Sequence, residues 1–210
     1  MSNIIELKNI SKKFGDHQIL KDFSLEIPEG DFVCITGESG KGKTTLLNII
    51  GMLEPADSGT LILDGVENPK MNSRAGRRLI QNSMFYVFQN YGLVEDKTVK
   101  YNLSVAAYFM DHKSNEILEN ALIKVGLGPE FMNKKIYTLS GGEQQRCALA
   151  RLYLKNHKII LADEPTGSLD PKNREKIMEI LQNINESGKT VIIVTHDKEV
   201  TKCAKRVIQL

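Results

Sequence analysis

The residues between 37 and 45 have the types and the spacing of a phosphate-binding loop. The pattern G-x-x-x-x-G-K-[ST] is matched there by the segment Gly37, Glu38, Ser39, Gly40, Lys41, Gly42, Lys43, Thr44 and Thr45. Glycines let successive backbone N–H groups face phosphate oxygens, and a following helix adds the positive end of its dipole. In this motif Lys43 reaches the β- and γ-phosphates and the Thr44 hydroxyl holds Mg²⁺. The alternative is a tight turn with an exposed lysine, but the position between a strand and a helix favours the phosphate loop.

Two acidic residues follow a short apolar run near the other end of the chain. Asp163 and Glu164 come directly after Ile159, Ile160, Leu161 and Ala162. At the end of such a strand, Asp163 can reach the water shell of a metal beside the phosphate loop. Glu164 then points the other way and can polarise an attacking water. Apolar strands also end in acids at solvated sheet edges, so this interpretation depends on the phosphate loop.

A third group predicts the start of a helix with an exposed anion site. Ser140 and Glu143 have the spacing of a capping box, with Gly141 and Gly142 between them. Two glycines in the first turn leave its N–H groups accessible to a phosphate. The local pattern alone favours an ordinary helix cap, because a protein with one nucleotide rarely needs two phosphate cradles in one site.

Strands and helices alternate along the chain, which indicates an α/β architecture. Residues 31–36, 158–162 and 190–194 read as strands, and 59–65 as a short strand between turns. A helix is expected from the Asp170 cap and Pro171 to just before Gly188, so that the strands on either side form a parallel pair. From about 97 to 156 the apolar spacing is helical, including a helix that Ser114 caps, that contains Val125 and that Gly126 stops.

Length and composition fit one globular unit. The chain has 210 residues, of which 41% are hydrophobic and 26% charged. Its 28 basic and 26 acidic residues give a net charge of +2, too balanced to indicate a nucleic-acid partner. No run approaches the ~20 apolar residues that cross a bilayer, and the N-terminus has no pattern of a secretory signal. We therefore expect a cytoplasmic protein.

The cysteines agree with a reducing compartment. Cys34, Cys147 and Cys203 are odd in number and far apart, without C-x-x-C spacing. A zinc site or a disulfide framework is therefore not expected, and all three are interpreted as small buried hydrophobic residues.

Taken together and in this order, the three motifs resemble the ATP-binding subunit of ABC transporters over nearly the whole chain. The resemblance implies a P-loop NTPase core with a mostly parallel sheet, a small antiparallel β subdomain and an inserted helical subdomain. It also implies a single ABC ATP-binding domain over 1–210. The core is then expected at about 1–90 and 157–210, and the helical lobe at about 91–156.

The same resemblance assigns four further residues. Phe14 takes the place of an aromatic residue that stacks on adenine. Gln89 matches the glutamine of the loop that links the core to the lobe, and it is assigned to the catalytic and the metal-binding residues. Asp170 matches an acidic residue of a loop that crosses the dimer, and His196 a histidine on the γ-phosphate. Without the resemblance, Phe14 reads as core, Gln89 as a surface residue and His196 as a helix cap or a solvated side chain.

Three positions depart from the family pattern. Phe14 replaces the usual tyrosine, Lys41 replaces a small residue of the phosphate loop, and His157 stands where the family often has proline. None of the three removes a catalytic group, so the departures leave the expected hydrolysis intact.

The resemblance implies an ATPase that uses ATP and Mg²⁺. Two subunits pair head to tail, and Ser140, Gly141, Gly142 and Glu143 of one meet the ATP of the other. Glu164 orients the water, Lys43 holds the developing charge, and His196 steadies the γ-phosphate. The expected partners are a second copy of the chain and a separately encoded integral membrane permease, which places the protein on the inner face of the membrane.

The direction and the alternatives also follow from the resemblance. The segment 161–170 is most like a bacterial subgroup of lipoprotein-release, macrolide-export, bacteriocin- or peptide-export and cell-division complexes, which favours export or mechanical coupling. The alternative is a regulatory or non-transport ABC ATPase. Another P-loop enzyme, such as a GTPase or a small-molecule kinase, would not need 139–144, and the guanine-reading pattern Asn-Lys-x-Asp is absent.

Overall fold

A five-stranded parallel sheet forms the centre of the computed structural model, which describes residues 2–108, 114–167 and 169–210. Its strands, in spatial order, are β6 (Met84–Val87), β7 (Ile159–Asp163), β8 (Thr190–Val194), β3 (Phe32–Thr36) and β9 (Arg206–Gln209). β7 and β8 are buried along their whole length. Short β-branched runs form such strands because both faces are covered. The strands predicted at 31–36, 158–162 and 190–194 are therefore confirmed.

A second, antiparallel sheet is built from the N-terminal third of the chain. Its order is β2 (His17–Pro28), β1 (Asn3–Phe14), β4 (Ser58–Leu63) and β5 (Val66–Glu67). The strand expected at 59–65 corresponds to β4. The hairpin of β1 and β2 was not predicted, because register shifts at several points interrupt its alternation of buried and exposed residues.

Helices cover both faces of the parallel sheet. They are α1 (Lys43–Ile50), α2 (Arg74–Asn82), α3 (Val99–Ala106), α4 (Asn115–Ile123), α5 (Gly141–Ala150), α6 (Pro171–Glu186) and α7 (Lys198–Thr201). One apolar cluster joins α1 to the antiparallel sheet and one face of β7, through residues such as Leu46 and Leu161. The other joins α6 and the inserted helices to the opposite face, through residues such as Ile177 and Ile160.

The inserted helices α3, α4 and α5 lie between β6 and β7 in the chain, together with 3₁₀ turns at Pro129–Phe131, Ile136–Thr138 and Arg151–Leu154. The Ser114 hydroxyl accepts the N–H of Ile117 at 3.3 Å, as predicted for the cap of α4. The helix ends at Ile123, so Val125 lies in the following turn and not in the helix. Gly126 closes that turn with φ of 71°, a conformation that glycine adopts without strain. The division into core and lobe at 91 and 157 stays a prediction.

Among the described residues, no helix combines the length and the apolar character that crossing a membrane requires. Cys34 and Cys147 are buried, and burial raises the pKa of each thiol to about 12. Cys203 is only partly buried, because it follows the short helix α7 at the surface. The expectation of three buried cysteines is therefore wrong for Cys203.

His157 makes the stability of the fold depend on pH. The ring is 3% exposed, and burial, together with Lys155 and Lys189, lowers the pKa of His157 to about 4. Below its ordinary pKa of about 6.5, the unfolded chain binds a proton that the folded chain does not, so acid favours unfolding. We expect the free energy of unfolding to fall by about 1 kcal/mol between pH 7.5 and 5.5 from this group.

Urea denaturation at the two pH values measures this loss. His157→Phe, which keeps a ring beside Phe85, is expected to reduce the pH-dependent loss by about 1 kcal/mol. His17→Gln, at an exposed position, is the matched control and is expected to keep it. An equal loss in His157→Phe and the natural chain would contradict the assignment.

Candidate nucleotide-binding site

The phosphate loop connects β3 to α1, as the sequence predicts. Gly42 immediately precedes α1 and has φ of 89°, in the left-handed region that favours glycine. A Cβ at Gly42 would also lie 2.5 Å from Ile19 Cγ2, so the position requires glycine for space as well. Exposed residues at the tip of the loop are Glu38, Ser39, Gly40 and Lys41.

Lys43 is the buried cation of this loop. Its Nζ donates hydrogen bonds to the carbonyl oxygens of Gly37 at 2.9 Å and Glu38 at 2.8 Å. The side chain therefore lies along the inside of the loop, where a phosphate would be enclosed. Lys41, by contrast, points into solvent, with its Nζ 3.9 Å from a Glu38 carboxylate oxygen.

Asp163 and Thr44 meet at the end of β7. Leu161 packs on the α1 side of the sheet, and alternation along the strand places Asp163 on the same side. There the Thr44 hydroxyl donates to Asp163 Oδ1 at 3.2 Å. Burial raises the pKa of Asp163, partly offset by this hydrogen bond and by Lys43. The predicted metal residues Thr44 and Asp163 are thus brought together.

Glu164 turns away from Asp163 toward the next strand. Its φ of 45° is unfavourable for a residue with a side chain, and it redirects the chain at the end of β7. Thr195 Oγ1 donates to one carboxylate oxygen at 3.1 Å, and His196 Nδ1 lies 2.6 Å from the other. Because a carboxylate only accepts hydrogen bonds, Nδ1 must carry the proton. The sequence prediction of a Glu164 that points away from Asp163 agrees with this geometry.

His196 follows β8 and is mostly exposed, with 76% of its side chain accessible. Its neighbour Asp197 caps α7 and forms an ion pair with Arg174 of α6 at 3.0 Å. One ring nitrogen is therefore fixed by Glu164, while the exposed ring can approach a phosphate.

Phe14 and Gln89 lie at the periphery. Phe14 ends β1 and is 50% exposed, so the interpretation as core is wrong. Lys12 Nζ lies 5.1 Å from its ring centre, and Phe14 pairs with His17, two residues before the Ile19 that contacts Gly42. Gln89 is exposed two residues after β6, the neighbour of β7, which places it at the same sheet edge as Asp163.

The capping box at α5 is confirmed. The N–H and the hydroxyl of Ser140 each donate to Glu143 Oε2 at 2.8 Å, and the N–H of Glu143 donates back to Ser140 at 3.4 Å. The Ser140 hydroxyl is the main reason why the pKa of Glu143 lies below its ordinary value. Glu143 thus orients Ser140, and its contact with nucleotide stays a prediction.

Asp170 lies close to the same helix. It caps α6 by accepting the N–H of Asn173 at 3.1 Å, and the Asn173 side chain in turn accepts from Arg146 of α5 at 2.8 Å. A Cβ at Gly142 would lie 2.5 Å from the Asn173 side chain, so a larger residue there would displace that side chain. The predicted residues thus form two groups, one around the phosphate loop and one at the start of α5.

Sequence reasoning missed several residues that support these groups. Thr195 holds Glu164, Arg146 joins α5 to α6, and Lys12 lies beside Phe14. The hydroxyl of Thr195 directly after the apolar run 190–194 was a usable signal. Arg146 and Lys12 gave none, because their partners are distant in the sequence.

The parallel sheet, the glycine loop before α1 and the acidic end of β7 define a phosphate-loop nucleoside triphosphatase. A sequence model of the family described as "ABC transporter" matches residues 20–167. That match covers more than half of the chain, and the chain belongs to the ABC transporter family. It is an ATP-binding cassette with the ATPase fold that the sequence predicted.

Named relatives and solved structures agree with the family. The chain is 42% identical over 215 residues to a macrolide export ATP-binding/permease protein MacB from Aggregatibacter actinomycetemcomitans, covering 99% of this chain and 33% of that protein. It is 43% identical to a MacB from Campylobacter jejuni, with the same coverage. A dimeric structure of the ATP-binding cassette MJ0796 in a post-hydrolysis state with ADP and phosphate has a TM-score of 0.88, 38% identity, and coverage of 98% and 94%. The chain thus spans about a third of the length of the MacB relatives.

Proposed function

We propose that this cassette hydrolyses ATP in a head-to-tail pair and thereby drives a membrane permease in the export direction. The observation that carries the pairing is the second anion site at the start of α5. Ser140 and Gly141 are exposed there, while the chain already has a phosphate loop of its own. A second copy can supply the nucleotide that this site binds, as the dimeric state of the MJ0796 cassette supports.

In the proposed reaction, each residue around the phosphate loop has a separate role in binding ATP or in moving a proton. Lys43 leaves the loop carbonyls to hold the β- and γ-phosphates, and Phe14 stacks on the base. Glu164 accepts a proton from the attacking water, since each carboxylate oxygen has a second lone pair besides those that Thr195 and His196 use. The His196 ring can bridge the Glu164 carboxylate and the γ-phosphate when both of its nitrogens carry protons.

The donor set fits Mg²⁺. The Thr44 hydroxyl and the Asp163 carboxylate, 3.2 Å apart at the open edge of the sheet, are hard oxygen donors, and Gln89 adds an amide oxygen at the same edge. Mg²⁺ takes few protein ligands and otherwise water and phosphate oxygens. Thr44, Asp163 and Gln89 would hold the ion, which neutralises phosphate charge when bound.

A groove beside Gln89 supports the permease as partner. It has a volume of about 420 Å³ and lies between β6, α2 and the segment that leads from α5 to β7. Leu53, Ile80 and Phe88 line it and are 40%, 38% and 40% exposed, and Arg151 and Lys155 border it. We propose that a cytoplasmic helix of the permease, apolar with acidic residues at its edge, occupies this Phe88 groove and places the protein at the membrane.

The MacB relatives give the direction, because their names combine ATP binding, permease and export. Those relatives are about three times as long as this chain. The separate encoding of the permease therefore stays a prediction.

Purification from native membranes tests the permease partner. The protein is tagged in its own cells as Glu164→Gln, with and without Mg-ATP, and its partners are identified by mass spectrometry. We expect a multi-span membrane protein in equal amounts, either copurified or on the same polypeptide. Phe88→Asp is expected to lose a copurified permease. Tyr137→Asp, at a site 60% exposed in the inserted helices, is the control that retains it. Soluble partners alone would favour the non-transport alternative.

A further inference from the structure

The loop of residues 88–92, here the Gln89 loop, is fixed to the C-terminal end of α5 by one side chain. Arg151, the first residue after α5, donates through its two terminal nitrogens to the carbonyl oxygens of Tyr91 at 2.6 Å and Gly92 at 2.8 Å. Its Nε donates to Ala148 of α5 at 3.2 Å. The planar guanidinium thus joins two successive carbonyls of the loop to the helix end in a fixed geometry.

Arg151 is a buried charge whose hydrogen bonds can hold the conformation of the Gln89 loop. Burial lowers the pKa of Arg151 to about 10, so the group stays charged at neutral pH. Within the described residues its side-chain hydrogen bonds all go to backbone carbonyls, and the guanidinium carbon lies 5.7 Å from the Phe85 ring centre. Burying a charge is costly unless it is well hydrogen bonded. Such a charge is well placed to hold a loop conformation.

That loop conformation is itself unfavourable. Tyr91 has φ of 64° and Gly92 has φ of 57°, both in the left-handed region. Glycine tolerates this region, whereas in a tyrosine the Cβ comes unfavourably close to the following carbonyl oxygen. Residues in such conformations persist where the surrounding structure holds them, and they are frequent at functional sites.

The side chain of the same tyrosine reaches the other end of α5. A Cβ built at Gly141 would lie 3.5 Å from the Tyr91 hydroxyl, so the hydroxyl is next to the first residue of the helix. Tyr91 is half-buried there. One residue, two positions after Gln89, thus contacts Arg151 at one end of α5 and Gly141 at the other.

We propose that Tyr91 and Arg151 are positioning residues that connect Gln89 at one nucleotide to Gly141 at the other nucleotide of the pair. This inference rests on the proposed function, in which Gln89 serves the chain's own ATP and Gly141 the ATP of the second copy. A shift of Gln89 when ATP binds is passed through the Tyr91 main chain and side chain to α5. Occupation of one site thereby changes the geometry of the second.

Steady-state ATP hydrolysis tests the connection, together with ATP affinity measured on the dilute protein. For Arg151→Met we expect an ATP dissociation constant within twofold of the natural value and a kcat about tenfold lower. The Hill coefficient is expected to fall from about 2 to about 1, since two coupled sites become independent. Tyr91→Gly is expected to do the same, and glycine suits φ of 64°, so this variant retains the fold.

Arg206→Met is the matched control. Arg206 also donates to a carbonyl oxygen, that of Glu26 at 3.1 Å, and pairs with Asp31, but it lies on β9. We expect an unchanged kcat and Hill coefficient. A cooperative natural protein whose Arg151→Met and Tyr91→Gly forms keep a Hill coefficient of about 2 would overturn this inference alone. A natural protein that hydrolyses ATP as a monomer would overturn the proposed pairing as well.

Discussion

Replacing Glu164 with glutamine is expected to stop hydrolysis almost completely while ATP still binds. The amide keeps the size of the side chain and can still hydrogen bond to its neighbours Thr195 and His196. It cannot accept the proton of the attacking water, and loss of a general base typically costs about 10²- to 10⁴-fold in rate. Because the γ-phosphate is then not removed, we expect a dimer that persists with Mg-ATP.

Phosphate release and size-exclusion chromatography measure the two effects. Glu179→Gln, an exposed glutamate on α6, is the matched control and is expected to hydrolyse ATP at the natural rate without a trapped dimer. Turnover of Glu164→Gln within a few-fold of the natural rate would exclude Glu164 as the general base. A trapped dimer without ATP would exclude the γ-phosphate as the group that joins the copies.

Lys43→Ala is expected to abolish nucleotide binding at ordinary ATP concentrations. The lysine makes two hydrogen bonds to loop carbonyls, so alanine removes both the cation for the phosphates and a support of the loop conformation. A charged hydrogen-bonded contact is worth up to about 3 kcal/mol, or roughly a 100-fold loss of affinity. Loosening of the loop adds to that loss.

Fluorescence titration with a labelled ATP analogue measures the affinity. Lys176→Ala, at an exposed position on α6, is the matched control and is expected to bind ATP normally. Thermal unfolding of both variants separates a folding defect from lost binding. If Lys43→Ala binds within threefold of the natural protein, the assignment of this lysine to the phosphates is wrong.

The sequence predicts the site best where its residues are contiguous. The phosphate loop, the acidic end of β7 and the Ser140 capping box each fit within ten residues, and each has a local physical signature. The ends of parallel strands meet at one edge, so the sequence also predicts that these segments converge. The family resemblance adds Gln89, Phe14 and His196, whose local sequence alone is uninformative.

Contacts between distant segments could not be predicted in this way. The hydrogen bonds of Arg151 to Tyr91 and Gly92 join residues about 60 positions apart in the sequence, and no periodic pattern predicts them. The hairpin of β1 and β2 was not predicted because its bulges disturb the alternation of buried and exposed residues. The positive φ values at Tyr91 and Glu164 could not be predicted either, since tyrosine and glutamate have no preference for the left-handed region.

The insertion of α3 to α5 between β6 and β7 has a mechanical consequence. Because β6 and β7 are parallel neighbours, the chain leaves the sheet at Val87 and returns at Ile159, at opposite ends of the two strands and about 11 Å apart. Two such points define a pivot, and α5, with ten residues and a length of about 15 Å, is a lever arm from Arg151 to Gly141. A turn of about 10° at the pivot would carry Gly141 by about 3 Å, the length of one hydrogen bond. Under the proposed function, a small push on the Phe88 groove would therefore be enough to make or break contact with a phosphate at the far end.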